Sequence, residues 1–199
     1  MTLVLASASP RRQELLRNAG IEFVALPANI PEIRLSSESP KEFAERMAKE
    51  KARAIWSDAV TAHSLQRAQN GEPTIVLGAD TVVVVEDEVL GKPRDGDDAV
   101  RMLQLLSGRK HFVITGVCLL SDELEDVWSE TTAVHFSELS EAEIRSYVES
   151  GEPMDKAGAY AIQGMASRWI SQIEGDYNNV VGLPVDLVLR MLREHGAAG

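Results

Sequence analysis

Leu3-Val4-Leu5-Ala6-Ser7-Ala8-Ser9-Pro10-Arg11-Arg12, with a helical pattern from Gln13 to Ala19 behind it, sets the architecture of this chain. The apolar run Leu3 to Ala6 reads as a short buried strand. Ser9 stands where a helix N-cap belongs, Pro10 at the first helical position, and Gly20 at the stop. A strand handing over to a helix is the opening move of an α/β fold. The turn between them has two readings. In one it is an ordinary junction with both arginines solvated. In the other it binds an anion: the helix N-terminus offers free N–H groups and the positive end of its dipole. Arginine adds a planar fork that matches phosphate oxygens.

The alternation continues downstream. Glu22 to Ala25 suggests a second strand, and Ala28 to Ser37 a loop containing Pro31-Glu32. Ser39-Pro40-Lys41-Glu42 is a capping box with proline at the first helical position, opening a helix from Pro40 to about Trp56. Ser57 to Pro73 has weak periodicity and ends in the loop signature Gln69-Asn70-Gly71-Glu72-Pro73. Thr74–Leu77 and Thr81–Val85 are β-branched runs separated by Gly78-Ala79-Asp80. Asp97 caps a helix stopped by Gly108. His111–Leu120 and Val127–Phe136 read as strands. Ser140-x-x-Glu143 is a second capping box, for a helix ending at Gly151. A glycine-containing loop runs from Gly151 to Gly164, Trp169–Ile173 is a strand, and Pro184 starts a last helix. The expected class is α/β, with a mixed twisted sheet flanked by helices. No repeat or low-complexity linker divides residues 1–199, so a single domain is expected.

Composition narrows the function. The 199 residues are 44% hydrophobic and carry net charge -11, from 20 basic and 31 acidic side chains. An acidic chain opposes binding to a nucleic-acid polymer or an anionic membrane, which need a broad cationic face. No apolar run reaches the ~20 residues of a membrane span. Leu3 to Ala6 is too short for a signal-peptide core and no basic region precedes it. Cys118 is the only cysteine, which suits a reducing, cytoplasmic setting and a small buried hydrophobe. The basic residues form islands at Arg11/Arg12, Lys49/Lys51/Arg53, Lys92/Arg94, Arg109/Lys110 and Lys156. Islands in an acidic protein suit a small phosphorylated ligand.

Three further segments carry chemistry. Asp80 places a carboxylate in the middle of an apolar β stretch, costly unless it is paired or binds a cation; the plainer reading is an Asx-turn between two strands. Gly91-Lys92-Pro93-Arg94 returns a lysine to the same end of the sheet, either as a phosphate contact or as an exposed turn residue. Glu32 offers a second carboxylate, although no spacing proves that it meets Asp80. Two carboxylates with nearby Lys and Arg are the kit for metal-assisted phosphoryl chemistry. In Asp155-Lys156-Ala157-Gly158-Ala159-Tyr160-Ala161-Ile162-Gln163-Gly164, Asp155 and Lys156 suit an ion pair that reaches phosphate. The Gln163 amide carries both donor and acceptor and matches the edge of a pyrimidine imide. The chain has no G-x-x-x-x-G-K-[ST], G-x-G-x-x-G, G-x-S-x-G or Cys/His metal spacing.

In the order Ser7-Ala8-Ser9-Pro10-Arg11-Arg12-Gln13-Glu14-Leu15-Leu16, Glu50-Lys51-Ala52, Gly78-Ala79-Asp80-Thr81-Val82-Val83, Gly91-Lys92-Pro93-Arg94 and Asp155 to Gly164, the chain resembles the Maf family of nucleoside triphosphate pyrophosphatases over nearly its whole length. The resemblance implies two lobes around a deep cleft, as in inosine-triphosphatase-like proteins, and a homodimer. It implies hydrolysis of a nucleoside triphosphate to monophosphate and pyrophosphate with a divalent metal, Mg²⁺ or Mn²⁺. Asp80 then matches the proton acceptor and Glu32 an acidic residue near the metal and the attacking water. Both are candidate metal ligands. Lys51 and Lys92 match phosphate-holding lysines, and Ser7 and Arg11 the phosphate loop. Arg12, Thr81 and Gln163 match positions of base choice, with Gln163 resembling the branch that acts on dTTP and UTP. The competing reading is a nucleotide-binding regulator of cell division, which would need the cations but not the buried carboxylate.

Overall fold

Thr2–Leu5 forms β1 of a computed structural model that describes residues 2–70 and 74–196, with the backbone alone for 58–70. α1 (Pro10–Asn18) starts as its sequence dictates: the Ser9 hydroxyl accepts from the Arg12 amide and proline occupies the first turn. It leads to β2 (Val24–Ala25), which pairs parallel with β1. α2 (Pro40–Asn70) then crosses to β3 (Thr74–Val85), on the other side of β1 and again parallel, with Leu3 opposite Ile75 and Leu5 opposite Leu77. β4 (Glu88–Leu90) folds back antiparallel on β3. α3 (Gly96–Leu106), β5 (Lys110–Leu120), β6 (Glu125–Phe136) and α4 (Glu141–Glu149) follow. β7 (Ile170–Glu174), α5 (Tyr177–Val181) and α6 (Val185–Glu194) complete the order. The sheet runs β2-β1-β3-β5-β6-β7 with β4 alongside β3, and β6 and β7 are antiparallel. The fold is mixed α/β, as the sequence pattern anticipated.

The chain divides into two compact units. Unit 1 comprises residues 1–80, 115–130 and 182–199; unit 2 comprises 81–114 and 131–181. Within unit 1 the core includes Val4, Ala6, Ala48, Ala52, Ile55, Val76, Cys118 and Leu120. Within unit 2, Val83, Leu103, Val134, Phe136, Tyr147 and Trp169 belong to one buried cluster.

A close approach inside unit 1 decides the site. Ala44, Ala48 and Ala52 recur at helical spacing on α2 and are fully buried. Opposite them the strands carry Gly78 and Gly116. A Cβ on Gly78 would lie 2.1 Å from the Ala48 carbonyl oxygen, and one on Gly116 would lie 2.3 Å from that of Ala44. The helix backbone therefore rests on the sheet backbone with no side chain between them.

Several elements differ from their sequence reading. Gly78-Ala79-Asp80 does not separate two strands: β3 is continuous from Thr74 to Val85. The glycine is there to admit α2, not to turn the chain. α2 does not stop at Trp56 but continues to Asn70; residues 57–70 contain no glycine or proline to stop it and include three Ala and two Gln. The end of the expected loop, Gly71-Glu72-Pro73, lies outside the described residues. The cap of α3 is Asp95, whose carboxylate accepts from the Asp98 amide, and Asp97 lies in the first turn. The Ser140–Glu143 capping box is present with both of its hydrogen bonds. β2 is two residues, and Trp169 closes a short 3-10 segment (Met165–Trp169) before β7.

Candidate active site

Asp80 is the last residue of unit 1 along β3 and is 5% exposed. Burial raises its pKa above the ordinary carboxylate value, opposed by the positive charges of Lys51 and Arg12. Lys51 supplies the partner. It sits three residues after Ala48 and one before Ala52, so the contact of α2 with Gly78 carries it to the strand. Its Nζ donates to Asp80 Oδ1 at 2.5 Å and to Glu32 Oε1 at 2.6 Å. The lysine is buried, whereas the Glu32 side chain is 44% exposed. One ammonium thus gathers two carboxylates that lie 48 residues apart in the chain (80 − 32).

Ser7, at the end of β1, holds its own turn: its hydroxyl accepts from the Ser9 amide at 3.2 Å and from Arg12 Nη1 at 3.3 Å. Arg12 is buried rather than solvated. Its Nε donates to the Gly182 carbonyl and its Nη1 to the Ala79 carbonyl, both at 2.8 Å. The guanidinium therefore grips the peptide next to Asp80, and its charge interacts with Asp80 and Glu32. Arg11, one residue away, is half-buried at the start of α1. Ser7, Arg12, Glu32, Lys51 and Asp80 are thus brought together within unit 1.

Thr81, Lys92, Asp155, Lys156 and Gln163 belong to unit 2. Lys92 is exposed, and the loop before it is fixed by the Gly91 carbonyl, which accepts from the Gly158 amide at 3.0 Å. Gly158 has φ +69° and lies where a Cβ would meet Val83 at 2.9 Å, so the position takes only glycine. Lys156 Nζ pairs with Asp155, as the sequence suggested. Gln163 is exposed on a turn closed by the Gly164 amide to the Ala161 carbonyl at 3.1 Å.

Two supports had escaped the sequence reading. Arg46 pins the loop that carries Glu32. Its guanidinium donates to the Ile33 carbonyl at 2.8 Å, pairs with Glu38 and meets Glu50 at 2.8 Å. Only the Arg46–Glu50 spacing of four was visible in the sequence. Tyr147 and Glu152 brace the Gln163 turn, and no motif marks them.

A model of the family described as "Maf-like protein" matches residues 2–195. The dTTP/UTP pyrophosphatase of Koribacter versatilis is 52% identical over 196 residues, covering 98% of this chain and 95% of the relative. That of Symbiobacterium thermophilum is 50% identical, covering 98% and 94%. Among solved structures, the Staphylococcus aureus Ham1 protein covers 98% of this chain and 100% of its own at TM-score 0.46 and 13% identity, too slight a likeness to carry an argument. The match along almost the full length, at half identity to these relatives, means that the chain belongs to the Maf family.

Proposed function

We propose that the protein hydrolyses dTTP and UTP to the nucleoside monophosphate and pyrophosphate. The observation that carries this reading is the buried Asp80–Lys51 pair with Glu32 on the same ammonium. The relatives named above are dTTP/UTP pyrophosphatases. Water attacks the α-phosphorus; a bond forms from its oxygen, and the bond from that phosphorus to the oxygen bridging to the β-phosphorus breaks. Pyrophosphate leaves with the electron pair, and the water's proton passes to an Asp80 carboxylate oxygen, with Glu32 assisting. A carboxylate of pKa ~4 is a weak base at neutral pH, so the upward shift from burial at Asp80 suits the role. Lys51 faces the developing negative charge, and Ser7 and Arg11 at the start of α1 receive phosphate oxygens. Lys92, Asp155 and Lys156 are proposed as further phosphate contacts, and Arg12, Thr81 and Gln163 as determinants of base choice, on the family motif.

Asp80 and Glu32 also fit a divalent cation such as Mg²⁺ or Mn²⁺, which takes one or two carboxylates and completes its shell with phosphate oxygens and water. Among the described residues no three His, Cys, Asp or Glu side chains gather into a cluster that could hold a metal ion. When bound, it supplies charge neutralisation and an acidified water. Both units form one Maf-like domain over 1–199 in this reading, because the family match crosses both. A homodimer rests on the family resemblance alone. The cytoplasm is favoured by the single, buried cysteine, and no helix among the described residues is long and apolar enough to cross a membrane.

The assay is pyrophosphate release from a panel of nucleoside triphosphates with and without Mg²⁺, on the protein and on Asp80→Asn. The variant keeps Lys51 paired with Glu32, so it folds, and turnover is lost. Full activity in it would sink the assignment. Nucleotide binding with no release from any substrate would instead favour the regulator of cell division, which has no use for a buried base.

A further inference from the structure

Unit 2 contains a buried phenol and a carboxylate that together hold the turn bearing Gln163. Tyr147, on α4, is fully buried, with its ring edge-on to Trp169 at 5.1 Å between centroids. Its hydroxyl donates to Glu152 Oε1 at 2.9 Å and accepts from the Ala161 amide at 3.2 Å. Glu152 accepts in turn from the Met165 amide, at 3.1 Å through Oε1 and 3.3 Å through Oε2. The two side chains therefore grip backbone N–H groups on either side of Gln163, two residues before it and two after. Gly164 lies against the same carboxylate: a Cβ there would come within 1.9 Å of Glu152 Oε1. Between these grips Ile162 is buried and Gln163 is exposed. The Gln163 side chain is thus open to a ligand, with Met165 also exposed beside it, and both ends of the turn are anchored. A planar amide reads a base edge only if its plane is fixed, because a freely turning one meets donor and acceptor patterns alike.

We infer that Tyr147 and Glu152 are positioning residues for base choice: they set the orientation of the Gln163 amide without touching the nucleotide. The inference rests on the proposal that Gln163 reads the base. Glycine at position 164 belongs to the same device, since any side chain would displace the carboxylate.

The test compares kcat/KM for dTTP with that for GTP in the intact protein, in Tyr147→Phe, in Gln163→Ala and in the double variant. Tyr147→Phe keeps the ring and its packing, so the fold survives. The variant loses both hydrogen bonds of the hydroxyl, which at ordinary strength predicts a drop of about fivefold per bond, up to about thirtyfold, in the dTTP:GTP ratio, read mainly in KM for dTTP. Amide exchange at Ala161 and Met165 speeds up in the same variant. With Gln163→Ala already present, Tyr147→Phe changes the ratio no further. Should Tyr147→Phe prove unstable, Glu152→Met, which is close in volume and removes both acceptor oxygens, takes its place. If Gln163→Ala shifts the ratio and neither partner variant does, or if they slow both substrates equally, the positioning role is overturned. If Gln163→Ala leaves the ratio unchanged, it is the base-reading role of Gln163 that fails, and this inference with it.

Discussion

Replacing Gly78 with alanine should separate Lys51 from Asp80. The added Cβ would lie 2.1 Å from the Ala48 carbonyl oxygen and 2.9 Å from both the Ala52 amide nitrogen and Cβ. Ordinary contact begins at 3.4 Å, so α2 and β3 must part by about 1.3 Å (3.4 − 2.1). Neither neighbour can swing aside, since two of the three atoms are backbone. Lys51 lies between Ala48 and Ala52, and its 2.5 Å bond to Asp80 stretches toward 3.8 Å (2.5 + 1.3), beyond hydrogen-bond range. Overpacking of this kind costs about 2 kcal/mol, and at this chain length Tm falls by about 4–8 °C. A displacement of about 1 Å in a catalytic group lowers kcat by about a hundredfold. Gly116→Ala is the control. It presses the same helix at Ala44, seven residues and about 10 Å along the axis from Lys51, where its Cβ would meet the carbonyl at 2.3 Å. Both variants should melt early; only Gly78→Ala should lose most of its turnover. Calorimetry and pyrophosphate release measure the two effects. A Gly78→Ala protein with lowered Tm and kcat within twofold of the parent would refute the link between this packing seam and the Asp80–Lys51 geometry.

Burial raises the Asp80 pKa while Arg12 and Lys51 lower it, so activity, which needs the carboxylate ionised, should fall on acidification at a pH above the ~4 of an ordinary carboxylate. Arg12→Met removes one of the opposing charges and should move that limb of the kcat/KM profile to still higher pH; a limb at ~4 in the parent, or a downward move in the variant, contradicts the assignment. Burial also pushes the Cys118 thiol up to about 12, so a chromogenic disulfide reagent should leave the native protein untouched and titrate one thiol after denaturation. Prompt labelling of the native form would place Cys118 outside the core.

What the sequence made legible is what lies close along the chain. Ser9 and Pro10 at the start of α1 and the Ser140–Glu143 box can be read because their partners are three residues away or fewer. Asp80 stood out because a carboxylate in an apolar run needs a partner, but nothing in the run named it. Lys51 is 29 residues earlier, and the contact depends on α2 lying flat on the strands. The alanine spacing 44, 48, 52 and the glycines at 78 and 116 carry that information, yet it appears only once the helix is set against the sheet. The same gap explains Gly78-Ala79-Asp80: glycine suggests a turn when seen locally and a helix contact when seen in three dimensions. Whether Arg12 was solvated or buried stayed open because its acceptors, the carbonyls of Ala79 and Gly182, are invisible to side-chain pattern.

Arg12, Lys51, Asp80 and Glu32 form a neutral quartet, two cations against two anions. The quartet itself therefore adds no net positive charge, and Arg11 and Lys92 are the further cations proposed to meet the phosphates, in a chain whose net charge is -11. At long range the net negative charge of the chain repels a polyanionic triphosphate, and added salt, by screening that repulsion, should speed its association. A triphosphate already carrying a divalent cation has less charge to be repelled. On the proposed metal requirement, the charge of the chain would thus act before any chemistry, favouring the nucleotide that arrives with its cation.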